Sequence, residues 1–430
     1  MLDARGAGMP AILHFGGDLG ELSESQLLAL AAASVRAVSP SAVDAPIRLG
    51  VVPLLADGWS GIPGLEGRHD PAPGQALRRP SLRRDAVSAT AHGAEVVLVD
   101  DADGVAAVRL ELRYELSEAG VLTIESELTN TGDTDFELTS LAAVLPLPAP
   151  ARERLDFAGA WAAERTPQRA TIDVGTWMRE SRHGRRGHDD PFLTVVGTAG
   201  FAHRHGEVWA AHLAWSGDSR VWVDRSALGF TALGLAELFA PGELRLAPGE
   251  SYRSPQALAA WSDAGLDGLS ARFHRWFRAL PAHPDSPRPL TLNTWEAVYF
   301  EQDLARLAGL VELAAEIGVE RFVLDDGWMT GRTDDRRALG DWTVDAESWP
   351  EGLHPLIARV RDAGMEFGLW VEPEMVPQDS RLAREHPEWV LRETAERRPA
   401  SWRHQFVLDL SQDASRTCST STRSTTSNGT

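Results

Sequence analysis

The sequence predicts a multidomain protein of β and α/β class, in which an N-terminal antiparallel β-sandwich precedes a parallel sheet. Short segments in which apolar and polar residues alternate occupy the chain up to about residue 255. A proline-rich segment, "PAHPDSPRP" (residues 281–289), follows them. Beyond it, strand-like and helix-like segments take turns, which is the pattern of βα units in a parallel sheet.

The segments of the first part support a sandwich. "AVRLELRYEL" (residues 107–116) alternates strictly, and "GVLTIESELTNTG" (residues 120–132) ends in a turn sequence. Three further segments follow the same style, namely "EVWAAHLAWSG", "SRVWVDRS" and "GELRLAPGE". Many short alternating strands bounded by Gly, Pro, Asn and Asp are typical of two packed antiparallel sheets.

A helix is predicted at the end of the first part, over "GLSARFHRWFRAL" (Gly268–Leu280). Its helical spacing places Leu269, Phe273, Trp276 and Phe277 on one side. We therefore predict that residues 1–280 form a β-sandwich domain with a linker helix.

The second part predicts three strands and three helices. The strands are "LTLNTW", "RFVLDDGW" and "EFGLWVEPEMV", and the helices are "EQDLARLAGLVELAAEIG", "LHPLIARVRDAG" and "DSRLAREHPEWVL". Ligand-binding groups gather at the carboxyl ends of parallel strands. The polar and aromatic residues predicted there are Trp295, Asp325, Asp326, Trp328, Trp370, Glu372 and Glu374.

Asp325 and Asp326 raise the question of what partners them, because burying two neighbouring carboxylates is costly. Both can enter one pocket only where the strand ends, and Gly327 permits that turn. Carboxylates accept strong hydrogen bonds from hydroxyl groups, and tryptophan offers a flat surface to a sugar ring. A monosaccharide site is one interpretation, and an ordinary Asp-Asp-Gly turn is the other.

The tryptophans and glutamates also have two interpretations each. Trp295 and Trp370 are either pocket walls or core residues. Glu372 and Glu374 would share a strand face, as a general acid and its neighbour or as part of a strand-end salt bridge.

Composition narrows the class of ligand. The chain has 42 basic and 62 acidic residues and a net charge of −20, which argues against a nucleic acid or an anionic membrane as partner. Fifteen tryptophans on an acidic protein fit a neutral polyhydroxylated ligand, although a merely soluble acidic protein is the alternative. His203 and His205 in "FAHRHGE" fit a surface loop better than a metal site. No phosphate-binding loop or metalloprotease motif occurs, so we expect neither a metal nor a cofactor.

Cellular location is predicted from cysteine usage and hydropathy. Cys418 is the only cysteine, which favours a reducing compartment. No signal-peptide pattern or run of about 18 apolar residues is found. We expect a cytoplasmic protein.

A series of motifs resembles bacterial α-galactosidases of glycoside hydrolase family 36. In the family's order they are "LNTWEAVYF", "FVLDDGWM", "DWTVDAESWPEGLHPLI", "FGLWVEPEMV", "HPEWVLR" and "RHQFVLDLS". "GWSGIPGLEG" and "GHDDPF" resemble the family's N-terminal domain more loosely. The similarity extends to about Arg416.

The resemblance implies a β-sandwich followed by the first part of a (β/α)8 TIM barrel, here residues 281–416. It implies retaining hydrolysis of terminal α-galactosides such as melibiose and raffinose, without a cofactor, and often by a homotetramer. By motif, Asp325 and Asp326 correspond to aspartates that hold the galactose hydroxyls. Trp295 and Trp370 correspond to pocket walls, and Arg403 to an arginine that contacts the sugar.

The catalytic carboxylates of the family are expected beyond residue 430. Retaining hydrolysis needs a nucleophile and an acid/base about 5–5.5 Å apart. The resemblance places the nucleophile in a Lys-Trp-Asp motif on the strand after "VLDLS", whereas this sequence contains no lysine. We therefore expect a truncated, inactive chain.

The final residues, 417–430, contain 10 Ser or Thr in 14 positions. A frameshift near residue 416 is one explanation of this aberrant, disordered tail, and a natural polar tail is the other.

Other functions remain open. An α-N-acetylgalactosaminidase and a galactosyl transferase of the same clan share the motifs, and a galactose-binding or assembly module without activity belongs to a different class.

Overall fold

The computed structural model describes residues 1–5, 8–35, 47–69, 79–100, 108–190, 192–392, 394 and 403–412. The chain forms two compact units, Met1–His283 (unit 1) and Pro284–Thr430 (unit 2). The domain limits given above stay predictions, and the Ser/Thr-rich tail lies outside the described residues.

Unit 1 consists mainly of strands. Those among its described residues are β1 (Leu2–Asp3), β2 (Ala11–Ile12), β3 (Leu65–His69), β4 (Arg83–Ala89), β5 (Gly93–Asp100), β6 (Val108–Leu116), β7 (Val121–Asn130), β8 (Phe136–Leu147), β9 (Glu153–Ala158), β10 (Thr166–Thr171), β11 (Gly175–Ser181), β12 (Thr194–Gly197), β13 (Val208–Leu213), β14 (Ser219–Arg225), β15 (Thr231–Glu237), β16 (Leu244–Leu246), β17 (Ser251–Arg253) and β18 (Ala257–Ser262). The helices are α1 (Glu24–Ala33) and α2 (Gly265–Ala279), with a 3-10 turn at Leu55–Asp57.

Two antiparallel sheets account for most of these strands. One has the order β10-β9-β12-β13-β18-β7-β6-β5-β4, with β17 also paired to β7. The other has the order β11-β14-β15-β8-β16, with β3 also paired to β8. The predicted antiparallel β-sandwich is confirmed.

The sandwich core follows from the alternation in the sequence. On β6, Leu110, Leu112 and Tyr114 are buried while Glu111 and Arg113 between them are exposed. Leu110 shares one apolar cluster with Leu145 and Leu233 of the other sheet. Complete burial of such a side chain contributes about 1.5–3 kcal/mol. One continuous core therefore holds the two sheets together.

Helix α2 begins earlier than predicted, at Gly265, whose φ of +64° suits glycine. Leu269 and Phe273 are buried and Trp276 packs partly against the same cluster. Phe277, predicted on the same side, is instead 47% exposed. It lies at the edge of the apolar stripe, one residue past Trp276 and about 100° around the helix.

Unit 2 contains the predicted βα units. Its strands are β19 (Thr291–Asn293), β20 (Arg321–Leu324), β21 (Glu366–Leu369), β22 (Met375–Pro377) and β23 (Gln405–Val407). Its helices are α3 (Trp295–Val298), α4 (Leu304–Glu316), α5 (His354–Asp362) and α6 (Arg381–Glu385), with a 3-10 turn at Pro387–Trp389. Strands β19, β20 and β21 form a parallel sheet in that order, as expected for part of a barrel.

Two predicted elements of unit 2 are shorter than expected. The strand predicted over residues 366–376 stops at Leu369, and β22 pairs antiparallel with β23 instead. The helix predicted over residues 379–391 is reduced to α6 and a 3-10 turn. Strand β21 ends where its partner ends, because Leu369 pairs with Leu324, the last residue of β20. Helix α6 ends before Pro387, because proline disfavours a helical conformation of the preceding residue, His386.

The core of unit 2 places helices against the parallel sheet. Leu307 of α4 and Leu356 of α5 are fully buried in one cluster with Phe322 and Leu324 of β20. This packing fixes β20, whose carboxyl end carries the two aspartates. Among the residues described here, no helix has the length and apolar content needed to cross a membrane.

Candidate functional site

Asp325 and Asp326 lie directly after the last residue of β20. Their exposed fractions are 7% and 4%, so both are buried. Gly327 follows with a φ of +107°, a conformation that residues with a side chain rarely adopt. A Cβ atom there would lie 3.0 Å from Nε2 of Gln302. The strand end and the glycine turn together hold both carboxylates at the carboxyl edge of the sheet.

Asp326 already has a partner within the protein. Nε of Arg332 donates to Oδ1 of Asp326 at 2.8 Å, and Nη2 donates to Oδ2 at 2.6 Å. The two side chains are only 1% and 6% exposed. Nη1 of Arg332 donates to the carbonyl oxygen of Arg337 at 2.7 Å. The guanidinium therefore orients Asp326 through a bidentate ion pair and ties the following loop to it.

Asp325 has only uncharged partners. Its side chain accepts hydrogen bonds from the Asn293 amide and from the backbone N–H of Asp326, the latter at 2.7 Å. Its own N–H donates to Oγ1 of Thr294 at 3.0 Å. No cationic side chain among the described residues forms an ion pair with it. The two neighbouring acids therefore differ in electrostatic environment, and only the charge of Asp325 lacks an internal counter-ion.

Gln302 supports the turn from outside the sheet. It is 8% exposed, and its Nε2 donates to the carbonyl oxygens of Asp326 at 2.9 Å and Tyr299 at 3.1 Å. Its Oε1 is buried without a partner in the described structure. The sequence pattern gave Gln302 no role, because its contact with Asp326 spans 24 residues.

Trp295 is the first residue of α3 and is partly buried. Its N–H donates to Oδ1 of Asn293 at 2.8 Å, and Asn293 also binds Asp325. Its ring meets Tyr299 and Phe300 edge to face, with centroid distances of 5.1 and 5.2 Å. The Phe300 ring in turn lies 5.5 Å from the Arg332 guanidinium. Short chains of contacts thus connect Trp295 to both aspartates.

Trp370 follows β21 and is also partly buried. Its carbonyl oxygen accepts a hydrogen bond from Nε1 of Trp328 at 3.1 Å, and its backbone N–H donates to the carbonyl oxygen of Leu324 at 2.9 Å. The Trp342 ring, which sequence reasoning missed, packs against both Trp328 and Trp370. Trp328 is only 2% exposed and serves as a core residue. Trp370 is therefore fixed to the end of the strand that carries the aspartates.

Arg403 contacts neither aspartate. Its Nη2 lies 2.5 Å from Oε1 of Glu372 and 3.4 Å from Oε1 of Gln405. Glu372 thus forms a salt bridge, which was one of its two predicted interpretations, and its partner is Arg403. Neither Glu372 nor Glu374 lies in a regular strand, since β21 ends at Leu369. The structure brings Asp325 and Asp326 together, connects Trp295 and Trp370 to them, and gives Arg403 a separate contact.

Comparison with known proteins agrees in both units. Residues 8–247 match the glycosyl hydrolase family 36 N-terminal domain, and residues 251–422 match melibiase. The chain is 37% identical over 380 residues to an α-galactosidase of Escherichia coli, covering 87% of this chain and 52% of that protein. It is 35% identical over 328 residues to α-galactosidase AgaA of Geobacillus stearothermophilus, covering 74% and 44%. The chain spans about half the length of these curated relatives.

Solved structures give the same result. The crystal structure of GH36 α-galactosidase AgaA from Geobacillus stearothermophilus matches with a TM-score of 0.87 and 26% identity, covering 99% of this chain and 62% of that one. Variants of AgaA in complex with stachyose and with raffinose match with TM-scores of 0.85.

Proposed function

Since the chain belongs to glycosyl hydrolase family 36, we propose that it forms the galactose-binding part of an α-galactosidase. The substrates we propose are oligosaccharides of the melibiose and raffinose type that end in an α-galactosyl residue. The relatives named α-galactosidase and the AgaA complexes with raffinose and stachyose support this choice.

Asp325 carries the proposal. It is buried at the carboxyl end of β20, and all of its hydrogen-bond donors are uncharged. A sugar hydroxyl that donates to such a carboxylate forms a charge-assisted bond, which contributes about 1.5–3 kcal/mol. We therefore assign Asp325 the main hydroxyl contact.

Asp326 has a more limited part in binding. Each carboxylate oxygen has two lone pairs, and Arg332 uses one on each oxygen. One lone pair remains on each oxygen, so the carboxylate can accept up to two further hydrogen bonds from hydroxyl groups. We propose that Arg332 fixes the direction in which Asp326 offers these lone pairs.

Trp295, Trp370 and Arg403 complete the proposed site. The two partly buried rings would cover the apolar faces of the galactosyl ring. Arg403 has five N–H donors, of which the contacts with Glu372 and Gln405 use two. The others are available to a sugar oxygen.

Binding and cleavage are separate functions at this site. Retaining hydrolysis requires a nucleophile and an acid/base on opposite sides of the anomeric carbon. Asp325 and Asp326 are consecutive residues, and Asp326 is held in an ion pair. We propose that both bind sugar and that neither is the nucleophile or the acid/base.

Calorimetry with the 430-residue protein tests the binding role. Galactose should bind with a measurable affinity, and Asp325→Asn should weaken it by about tenfold or more. Glucose, which differs in one hydroxyl orientation, is the matched ligand control. Equal affinity of the wild type and Asp325→Asn for galactose would contradict the assignment.

A turnover assay tests the second half of the proposal. The purified chain should release no nitrophenol from p-nitrophenyl α-galactoside while it binds galactose. Turnover that survives repeated purification and is lost in Asp325→Asn would show that this 430-residue chain contains the residues that catalysis needs.

We also propose a cytoplasmic location and a homo-oligomer. The single cysteine supports a reducing compartment. Fractionation of the source cells tests the location, and light scattering of the purified protein tests the oligomeric state.

A further inference from the structure

A cavity of about 750 Å³ lies within unit 1. The segment 14–20, strands β6, β7 and β18 and helix α2 all contribute to its walls. Pockets that bind small organic molecules have volumes of about 300–1,000 Å³. None of the five residues proposed to bind galactose lines this cavity. The cavity is therefore lined by residues other than those proposed to bind galactose.

Most of the wall is apolar. Seven of the lining residues are leucine, isoleucine or phenylalanine, namely Leu2, Ile12, Phe15, Leu19, Leu116, Leu122 and Leu145. Trp261 adds an indole ring whose Nε1 donates to Oε1 of Glu207 at 2.7 Å. Because the indole N–H is already used, this ring presents carbon surface to the cavity. Such a wall favours a ligand with an apolar or aromatic body.

Tyr114 contributes a hydroxyl group to this wall. The residue is 8% exposed, and no hydrogen-bond partner of its hydroxyl occurs among the described residues. Burial also raises the pKa of this phenol, so the group stays neutral and can donate. A phenol hydroxyl at the cavity wall can donate a hydrogen bond to a polar atom of a ligand.

Arg272 provides the charge. This residue of α2 lines the cavity with its guanidinium 5.7 Å from the Trp261 ring centroid. Within the described ranges, its side chain forms one hydrogen bond, which goes to the carbonyl oxygen of Ala119 at 3.5 Å. No carboxylate in the described part of the chain forms an ion pair with it. The guanidinium fork fits a carboxylate, which it binds through two parallel hydrogen bonds.

Three further polar side chains line the cavity, and they leave the preference for an anionic ligand unchanged. Nε2 of His14 bonds to the carbonyl oxygen of Gly17 at 2.7 Å. Asp18 is exposed and accepts from the N–H of Gly20 at 2.9 Å. His92 is exposed at the β4–β5 turn. The α-amino group of Met1, whose residue also lines the cavity, donates to the carbonyl oxygen of His14 at 2.6 Å, and burial lowers its pKa. Arg272 is therefore the guanidinium that lines the cavity beside apolar surface.

We propose that this cavity binds a small organic monoanion with an aromatic or branched apolar body. The carboxylate pairs with Arg272, the body contacts Trp261 and the aliphatic side chains, and a polar atom reaches the Tyr114 hydroxyl. This site is independent of the proposed galactose site.

Calorimetry of the 430-residue protein with 2-naphthoate tests the proposal. The wild type should show saturable binding, and Arg272→Gln should weaken it by about ten- to a hundredfold. Tyr114→Phe should leave it nearly unchanged, because 2-naphthoate carries no polar atom besides the carboxylate that pairs with Arg272. Arg275→Gln is the matched control, because Arg275 is exposed on the same helix and does not line the cavity. Circular dichroism establishes that each variant is folded.

A neutral ligand, 2-naphthamide, tests the role of the charge in the wild-type protein itself. It keeps the ring system and lacks the charge, so it should bind the wild type more weakly than 2-naphthoate does. Its affinity should also change little in Arg272→Gln. Absence of 2-naphthoate binding to the wild type would overturn the proposal. Equal losses in Arg272→Gln and Arg275→Gln, or displacement of 2-naphthoate by galactose, would overturn it too.

Discussion

Replacing Arg332 by methionine removes the guanidinium that holds both carboxylate oxygens of Asp326. The two side chains are 1% and 6% exposed, so water cannot take over as partner without a change of structure. Removal of one partner from a buried pair costs about 3–5 kcal/mol, because the other charge stays buried. The hydrogen bond to the carbonyl oxygen of Arg337 is lost as well. We expect unit 2 to lose local stability by an amount in that range.

Hydrogen–deuterium exchange with mass spectrometry measures this loss at β20. A cost of about 3 kcal/mol corresponds to roughly a hundredfold faster exchange of the protected amides of residues 321–328. Arg336→Met is the matched control, since Arg336 is 67% exposed in the same loop and lies 3.9 Å from Asp335. It should change exchange less than about threefold.

The double variant Asp326→Asn/Arg332→Met completes the test. Removing both charges leaves no buried ion without a partner, so it should exchange more slowly than Arg332→Met alone. Exchange at β20 that is equally fast in Arg332→Met and Arg336→Met would refute the reasoning.

Three further predictions concern a turn, a titration and a surface pair. Gly327→Ala should lower the free energy of unfolding of unit 2 by about 1–2 kcal/mol in urea, because the φ of Gly327 is +107°. The control Gly309→Ala, in an exposed position of helix α4, should raise it. An unchanged stability of Gly327→Ala would contradict the turn argument. Burial lowers the pKa of His212 in the folded protein. The contribution of the neutral imidazole to stability is therefore present above about pH 6.5, the pKa in the unfolded chain, and is lost as the pH falls through the lower pKa of the folded state. Melting curves against pH should show this loss, which His212→Gln should reduce and His203→Gln, at a side chain 84% exposed, should leave in place. Glu372→Gln should change the free energy of unfolding by less than about 1 kcal/mol, because its partner Arg403 is 49% exposed. If Arg403 contacts the sugar, Glu372→Gln should change the free energy of galactose binding, measured by calorimetry, more than it changes the stability measured by melting.

The features that could be predicted from the sequence are those set by local periodicity. The alternation through Val108–Leu116 fixes which side chains face the sandwich core, and the structure has that arrangement. The apolar run before Asp325 and the glycine after Asp326 indicate a buried strand that ends in a turn. Both signals lie within a few neighbouring residues, where the physical rules are strongest.

The features that escaped prediction depend on contacts between distant residues or on loop paths. Arg332 lies in an irregular loop, and no spacing rule indicates that its side chain turns back to Asp326. A signal was nevertheless present, since a buried acid is stabilised by a cationic partner and Arg332 is the next basic residue after Asp326. The end of β21 depends on the end of β20, because Leu369 pairs with Leu324, and the sequence of β21 alone does not indicate it.

The unequal partners of the two aspartates have a consequence for redesign. A substitution at Asp325 perturbs a side chain that neutral groups surround, so ligand preference can be altered there at small cost to the scaffold. The same substitution at Asp326 strands a guanidinium in the protein interior. Libraries that aim at new sugar specificities should therefore vary the first position freely and change the second only together with Arg332.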